Sequence, residues 1–264
     1  MIKFFRKIRY DLMEKNKTGK YVKYAIGEIV LVVIGILIAL SINNWNQNRI
    51  ERHKEKLILA ELIVDLKEQS KVLENYIEIE SRYYHHGKDI LSFYSSNQTF
   101  IGSDSIYAKL NSLMERKTFN PIRTTFQELI STGTIGILQD KSTKRKIIQY
   151  YNDLERVSMV IGNNNIHIVD AIYQTNILKQ ILFVWDSDDA DFNKLNNTIF
   201  DEKSLKKVRE ISSEIVSKRE NTLVIFNILE QRTHIAKLHL ESYKTLKSET
   251  EKLLSELNTQ KNEQ

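Results

Sequence analysis

AIGEIVLVVIGILIALSI, residues 25–42, decides the architecture of this chain. Eighteen residues at about 1.5 Å rise give roughly 27 Å of helix, close to the thickness of a bilayer's hydrocarbon core. Only Glu28 and Ser41 interrupt the apolar run, each near one end. Lys3, Arg6, Lys7, Arg9, Lys15, Lys17, Lys20 and Lys23 precede it, against the acids Asp11 and Glu14. Eight cations against two anions give those 24 residues a charge of +6. The whole chain is +5, which leaves −1 for the remainder. A basic tail beside a span marks the cytoplasmic side. The expectation is a single-pass anchor with the N-terminus inside and some 220 residues outside. The rival is a cleaved signal peptide, with Ala39-Leu40-Ser41 as a small-x-small site. Its basic leader and its apolar run would both exceed the usual lengths. A soluble core helix would keep a polar face, which this stretch lacks.

The same charge arithmetic removes the partner that a pI of 9.1 would otherwise suggest. Nucleic acid calls for a basic domain, whereas here the large domain is nearly neutral. Zero cysteines exclude disulfides, thiolate metal sites and cysteine nucleophiles. One proline and eight glycines in 264 residues, with abundant Leu, Ile, Lys and Glu, favour long helices. No alternation of period two is sustained, so the chain reads as all-α.

The organisation that follows is a basic cytoplasmic tail at 1–24, the membrane helix at 25–42, a helical domain at 43–260 and a frayed end at 261–264. In the tail, Ile2, Phe5, Ile8 and Leu12 share one helical face among basic residues, a pattern suited to an anionic membrane surface; a disordered basic tail is the equal alternative. Trp45 marks the outer interface, with Tyr21 and Tyr24 at the inner one. From Arg49 a charged amphipathic helix is predicted to about Tyr84. Leu59, Leu62, Leu66, Leu73 and Tyr76 keep an a/d pattern that Gln69 interrupts. This is either a coiled coil continuing the span or the first helix of a bundle, and the bundle is the reading adopted.

His85-His86-Gly87 predicts a break. Further helices are expected from Ser103 or Asp104 to about Arg116, and from Pro121 to the stop at Gly133 with Phe126, Leu129 and Ile130 inward. Another starts at the capping cluster Asp140–Thr143 and carries Ile147, Ile148, Tyr151 and Leu154. Asn163-Asn164-Asn165 suggests a kink or turn before a helix through Phe183. The acidic run at 186–191 and the polar stretch after it read as loop, followed by helices near 204–218 and 220–257. In the last, Leu229, Thr233, Ala236, Leu240 and Tyr243 repeat at the spacing of bundle packing.

Few constellations carry chemistry. Gly35 and Ala39 form a small-xxx-small pair in the span, which lets two helices approach closely and predicts a homodimer. Glu28 is an intramembrane ionisable group. Lying about one turn from the cytoplasmic boundary, it can pair with Lys20, Lys23, a headgroup or a partner helix. The acidic run fails the calcium-loop pattern, because Asp191 stands at the glycine position and Asn197 at the final glutamate. The six histidines, His53, His85, His86, His167, His234 and His239, contain no i, i+4 pair. No HExxH, GxSxG, P-loop or GxGxxG occurs. Tyr150-Tyr151 with Glu128 and Arg145 could line a groove, but core packing accounts for them. No catalytic, cofactor-binding or metal residue is assigned, no cofactor is expected, and the chain is not read as an enzyme.

The opening, MIKFFRKIRYDLMEKNKTGKYVKYAIGEIVLVVIGILIALSINNWNQNR, resembles the N-terminus of an uncharacterised family of single-pass membrane proteins from Bacteroidetes. AIGEIVLVVIGILIAL followed by INNWN is the most specific part, and FQELISTGTIGILQDKSTKRKIIQYYNDLE at 126–155 resembles a second block. The resemblance implies an inner-membrane protein with a helical periplasmic domain and carries no activity, substrate or site residue. The function expected is a membrane-anchored interaction or scaffold module of the cell envelope. It would bind membrane lipid, pair with itself through the span, and engage an envelope protein partner. The alternative is a sensory or ligand-binding domain signalling through a partner.

Overall fold

Helix-forming residues continue past the predicted break at His85-His86-Gly87, and so does the helix. The computed structural model describes Tyr10 and residues 18–102, 104–182 and 201–263. In it α1 covers Thr18–Asn97, eighty residues with only Gly19, Gly27, Gly35 and Gly87 against helix propensity. Gly87 does not end it, because the glycine serves packing: a Cβ there would lie 2.9 Å from Cβ and Cγ2 of Thr233. No β-strand occurs among the described residues, and the fold is all-α.

The remaining helices are α2 (Asp104–Ser112), α3 (Thr124–Ser131), α4 (Lys141–Asn164), α5 (Glu202–Val216) and α6 (Arg219–Glu263). Helix α2 stops at Ser112 rather than near Arg116. Residues 115–123, Pro121 included, have no regular structure, so α3 begins three residues later than the proline suggests. Gly133 ends α3 in the left-handed region, φ 70°, as a stop glycine does. Asp140 caps α4, its carboxylate accepting from the N–H groups of Ser142 and Thr143 at 3.2 and 2.8 Å. Asp201, read as the end of a polar loop, does the same for α5 through Ser204 at 2.7 Å. The asparagine triplet neither kinks nor breaks α4: the helix passes into a π-helical stretch, Asn165–Gln174, and a last α turn, Thr175–Ile177. The acidic run at 186–191 lies outside the described residues.

The chain divides into two compact units, Met1–Leu57 and Ile58–Glu263. In the first, the described residues belong to α1 apart from Tyr10. Its apolar run is exposed except at Ala25 and Glu28, which are half-buried, and α1 is long and apolar enough to cross a membrane.

The second unit is a helical bundle with two apolar clusters. Leu59, Leu62, Leu66 and Leu73 of α1 meet Ile147, Tyr151 and Leu154 of α4 and Tyr243, Leu246, Leu253 and Leu257 of α6. Phe126 stacks on Tyr151 with ring centres 4.3 Å apart. The other cluster joins Tyr83 and Ile90 of α1, Ile106 and Leu110 of α2, Tyr173 and Ile177, and Ile225, Leu229 and Ala236 of α6. Each such side chain contributes about 1.5–3 kcal/mol by leaving water, and both a/d stripes read from sequence lie inward. Ile130 does not: it is exposed.

Candidate functional site

Two places in this chain hold polar or small residues against an apolar background: the exposed run in the first unit, and a buried polar layer in the second.

In the run, a Cβ built on Gly35 meets nothing within 4 Å, and Ala39, four residues on, shares its face. Both are exposed, and the structure holds one chain. Glu28 is partly buried and engaged in an interaction. None of the three is near the buried layer in sequence.

The layer comes from charged residues placed on inward helix faces. On α6, Arg232 falls between Leu229 and Ala236 and is 1% exposed. Its guanidinium lies over the ring of Tyr83, 4.9 Å from the centroid. Its Nε donates to the carbonyl of Leu113 at 2.9 Å and Nη2 to that of Glu115 at 3.3 Å. One helical turn pair further along, His239 Nε2 receives the side-chain amide of Asn164 at 3.2 Å. That fixes Nδ1 as the donor toward Glu80 Oε1, 3.4 Å away. Glu80 is 3% exposed. Burial pulls the Arg232 guanidinium below the usual arginine range, and the Glu80 carboxylate opposes that shift. Burial raises the phenols of Tyr83, Tyr173 and Tyr243, and Glu80 pushes Tyr83 and Tyr243 further in the same direction.

The layer faces a connecting segment rather than a cavity. The N–H groups of residues 113–115 still bond back to Lys109, Asn111 and Ser112, but the carbonyls of residues 113–119 accept no backbone hydrogen bond from a described residue and need other donors. Side chains supply them. Besides the Arg232 contacts, Asn165 donates to the carbonyl of Lys117, Tyr76 to that of Thr118 and Ser158 to that of Phe119. Tyr173 donates to the carbonyl of Leu110 at 3.0 Å. Further on, Gln69 Oε1 accepts the N–H of Ile122 at 2.6 Å, and Asp65 that of Thr125 at 2.9 Å. Gln69 therefore interrupts the α1 stripe because it anchors this segment. Arg116 pairs with Asp170 of the π-helical stretch at 2.7 Å.

The hydrogen bonds of this layer tie helices α1, α4 and α6 to one segment. Among the described residues no group of three or more His, Asp or Glu side chains is placed to hold a metal ion. Tyr150 and Tyr151 are core residues, while Glu128 and Arg145 are exposed. Tyr150 bonds Thr250 at 2.8 Å, and burial pushes its phenol up to about 12.

On the outside of α1 an open groove of about 540 Å³ is lined by Glu74, Ile77, Glu78, Ser81, Arg82, His85 and His86. His85 Nδ1 donates to the carbonyl of Ser81 at 2.6 Å. His86 Nδ1 lies 2.7 Å from Ser112 Oγ. Burial, then the charges of Lys109 and Arg82, hold His86 below the usual imidazole range.

Reading the sequence for motifs does not find Arg232, Glu80, Asn164 or Asn165. The available signal was a charged residue on an inward face: Arg232 sits three residues after Leu229, and Glu80 four after Tyr76.

Comparison with known proteins gives a family and no chemistry. Residues 28–204 match the model of a family of unknown function, DUF6090. No curated protein and no solved structure matches the chain. The match takes in the apolar run and much of the bundle but stops before α6, which carries Arg232 and His239. With more than half of its length inside that match, the chain belongs to the DUF6090 family of unknown function.

Proposed function

We propose that the protein is a membrane-anchored helical interaction module of the cell envelope. The observation that carries this reading is the apolar run of α1, which is exposed on every side and long enough to cross a bilayer. Exposed apolar surface of that extent requires lipid or protein around it. The +6 tail orients the span with residues 1–24 in the cytoplasm and the bundle in the periplasm. The helices then act as a scaffold for an envelope partner, without catalysis. Gly35 and Ala39 bring two copies together, since small residues allow close backbone approach in lipid.

Crosslinking in native membranes, followed by isolation of the full-length protein and mass spectrometry, tests the reading. A partner that is recovered reproducibly, and lost when residues 43–264 are removed, supports it. Recovery in the soluble fraction with no crosslinked species overturns it. The absence of cysteine makes topology direct to measure: Asn97→Cys should react with an impermeant maleimide only once the outer membrane is opened. For the dimer, Gly35→Leu with Ala39→Leu should abolish association in a membrane assay, and unchanged association removes that interface.

A further inference from the structure

Where α1 leaves the apolar run it carries a stripe of cations beneath a tryptophan. Trp45 is 65% exposed, and the guanidinium of Arg49 lies 5.6 Å from the centre of its ring. At 3.6 residues per turn, Arg49, Arg52 and Lys56 fall within about 40° of Trp45 around the helix. The acids of this stretch stand apart: Glu55 is about 80° away and Glu51 about 120°. Glu51 accepts from Gln47 at 3.0 Å. Arg49 and Arg52 are exposed, and Arg49 has a long 3.4 Å bond to Asn46 as its hydrogen bond. Neither they nor Lys56 forms an ion pair with a described residue.

Depth and direction decide what such a stripe meets. Measured from Ile42 at 1.5 Å per residue, Trp45 lies about 4.5 Å beyond the hydrocarbon edge, Arg49 about 10 Å, Arg52 about 15 Å and Lys56 about 21 Å. The headgroup layer is some 5–8 Å thick on each side. Helical Cα–Cβ bonds tilt toward the N-terminus, which here is the membrane side. The long stems of Arg49 and Arg52 therefore lean back into the headgroups, as snorkelling side chains do. Lys56 stays outside, its backbone roughly 13–16 Å beyond the headgroup layer, where salt screens most of its field. An indole at the interface, a guanidinium stacked on it and a second guanidinium one turn away match a phosphate ester under acyl chains: forked donors for the anion and an aromatic for the glycerol region.

We propose that Trp45, Arg49 and Arg52 form a binding site for anionic phospholipid headgroups. The proposal rests on the reading of residues 25–42 as a span. It adds a lipid specificity that a bare anchor would not have.

Bromolipid quenching of Trp45 tests it on the full chain, with the second tryptophan removed by Trp185→Phe. The protein is reconstituted in neutral vesicles doped sparsely with a brominated-chain lipid, either phosphatidylglycerol or phosphatidylcholine. Enrichment of the anionic lipid of about fivefold is expected for a basic residue held at its headgroup. The anionic bromolipid should then quench well above its neutral counterpart. Arg49→Gln with Arg52→Gln and Lys56→Gln should bring the two to equality, and added salt should narrow the difference. Equal quenching in the unaltered stripe overturns the site while leaving the span intact. A preference that survives the triple change overturns the assignment to these cations. Loss of the preference on adding inorganic phosphate at constant ionic strength assigns the stripe to free phosphate and overturns the lipid reading. Quenching by neither lipid overturns the site together with the span on which it rests.

Discussion

Replacing Arg232 with methionine should cost the bundle about 3 kcal/mol and loosen one segment more than the rest. A methionine fills the volume but donates no hydrogen bond. The change leaves the buried carbonyl of Leu113 without its donor at 2.9 Å and the more exposed carbonyl of Glu115 without its weaker one at 3.3 Å. A hydrogen bond to a charged donor contributes about 1.5–3 kcal/mol. The stacking on Tyr83 adds up to about 2 kcal/mol in a desolvated setting. Against this stands relief of the cost of burying a guanidinium, which brings the balance to about 3 kcal/mol, a large part of a usual stability of about 5–15 kcal/mol. Lysine should recover only part, because one ammonium cannot reach as a fork to two carbonyls and stack on Tyr83. Unfolding of the full chain in detergent micelles, followed by helical circular dichroism, gives the magnitude. Hydrogen exchange gives the location: amides of residues 113–125 should speed up under native conditions well ahead of those around Leu59–Leu66. A loss below about 1 kcal/mol, or exchange that rises evenly through the bundle, refutes the view of Arg232 as the clamp of this segment.

Gly87→Ala should destabilise the bundle despite a gain in helix propensity of about 1 kcal/mol. The added methyl would overlap Oγ1 of Thr233, with that residue's Cβ and Cγ2 at 2.9 Å, and overpacking costs about 1–3 kcal/mol. Thr233→Ala should partly restore the double variant, and additivity of the two changes in unfolding midpoints would show that the positions do not touch. His86 should make stability rise with pH. Its folded pKa lies below the unfolded value, so its contribution is fully present above about 6.5 and is lost as pH falls from there through the lower folded value. His86→Gln should flatten the stability profile below about pH 6.5; an unchanged slope assigns the dependence elsewhere.

Most helices were legible because their signals are local. Leu59, Leu62, Leu66 and Leu73 face inward on α1 as their spacing requires, and Leu229, Ala236, Leu240 and Tyr243 do so on α6. Asp140 and Gly133 act where capping chemistry places them. The failures are also physical. Gly87 looks like a breaker because a glycine's cost in a helix is visible locally, whereas its benefit, room for Thr233, comes from a residue 146 positions away. Pro121 looks like a helix start, yet the helix forms only at Thr124, where α1 caps it: Asp65 accepts the N–H of Thr125, and Gln69 holds Ile122 outside it. Ile130 continues the apolar pattern of α3 on a helix of eight residues, too short to bury both sides.

The buried layer was illegible for a related reason: its residues serve a backbone distant in sequence. Arg232, Asn165, Tyr76, Ser158 and Gln69 share no motif, because the groups they satisfy are peptide carbonyls and an amide, which leave no trace in side-chain identity. What they share is a polar atom on an inward face, and such a face pairs with whatever unsatisfied backbone the fold brings to it. Residues 113–123 are that backbone. A segment whose carbonyls take no helical hydrogen bond packs against a bundle only when side chains supply donors, and here four helical stretches contribute. The arrangement ties helices α1, α4 and α6 to one irregular stretch of chain, so sliding any of them would strip a donor from a backbone carbonyl.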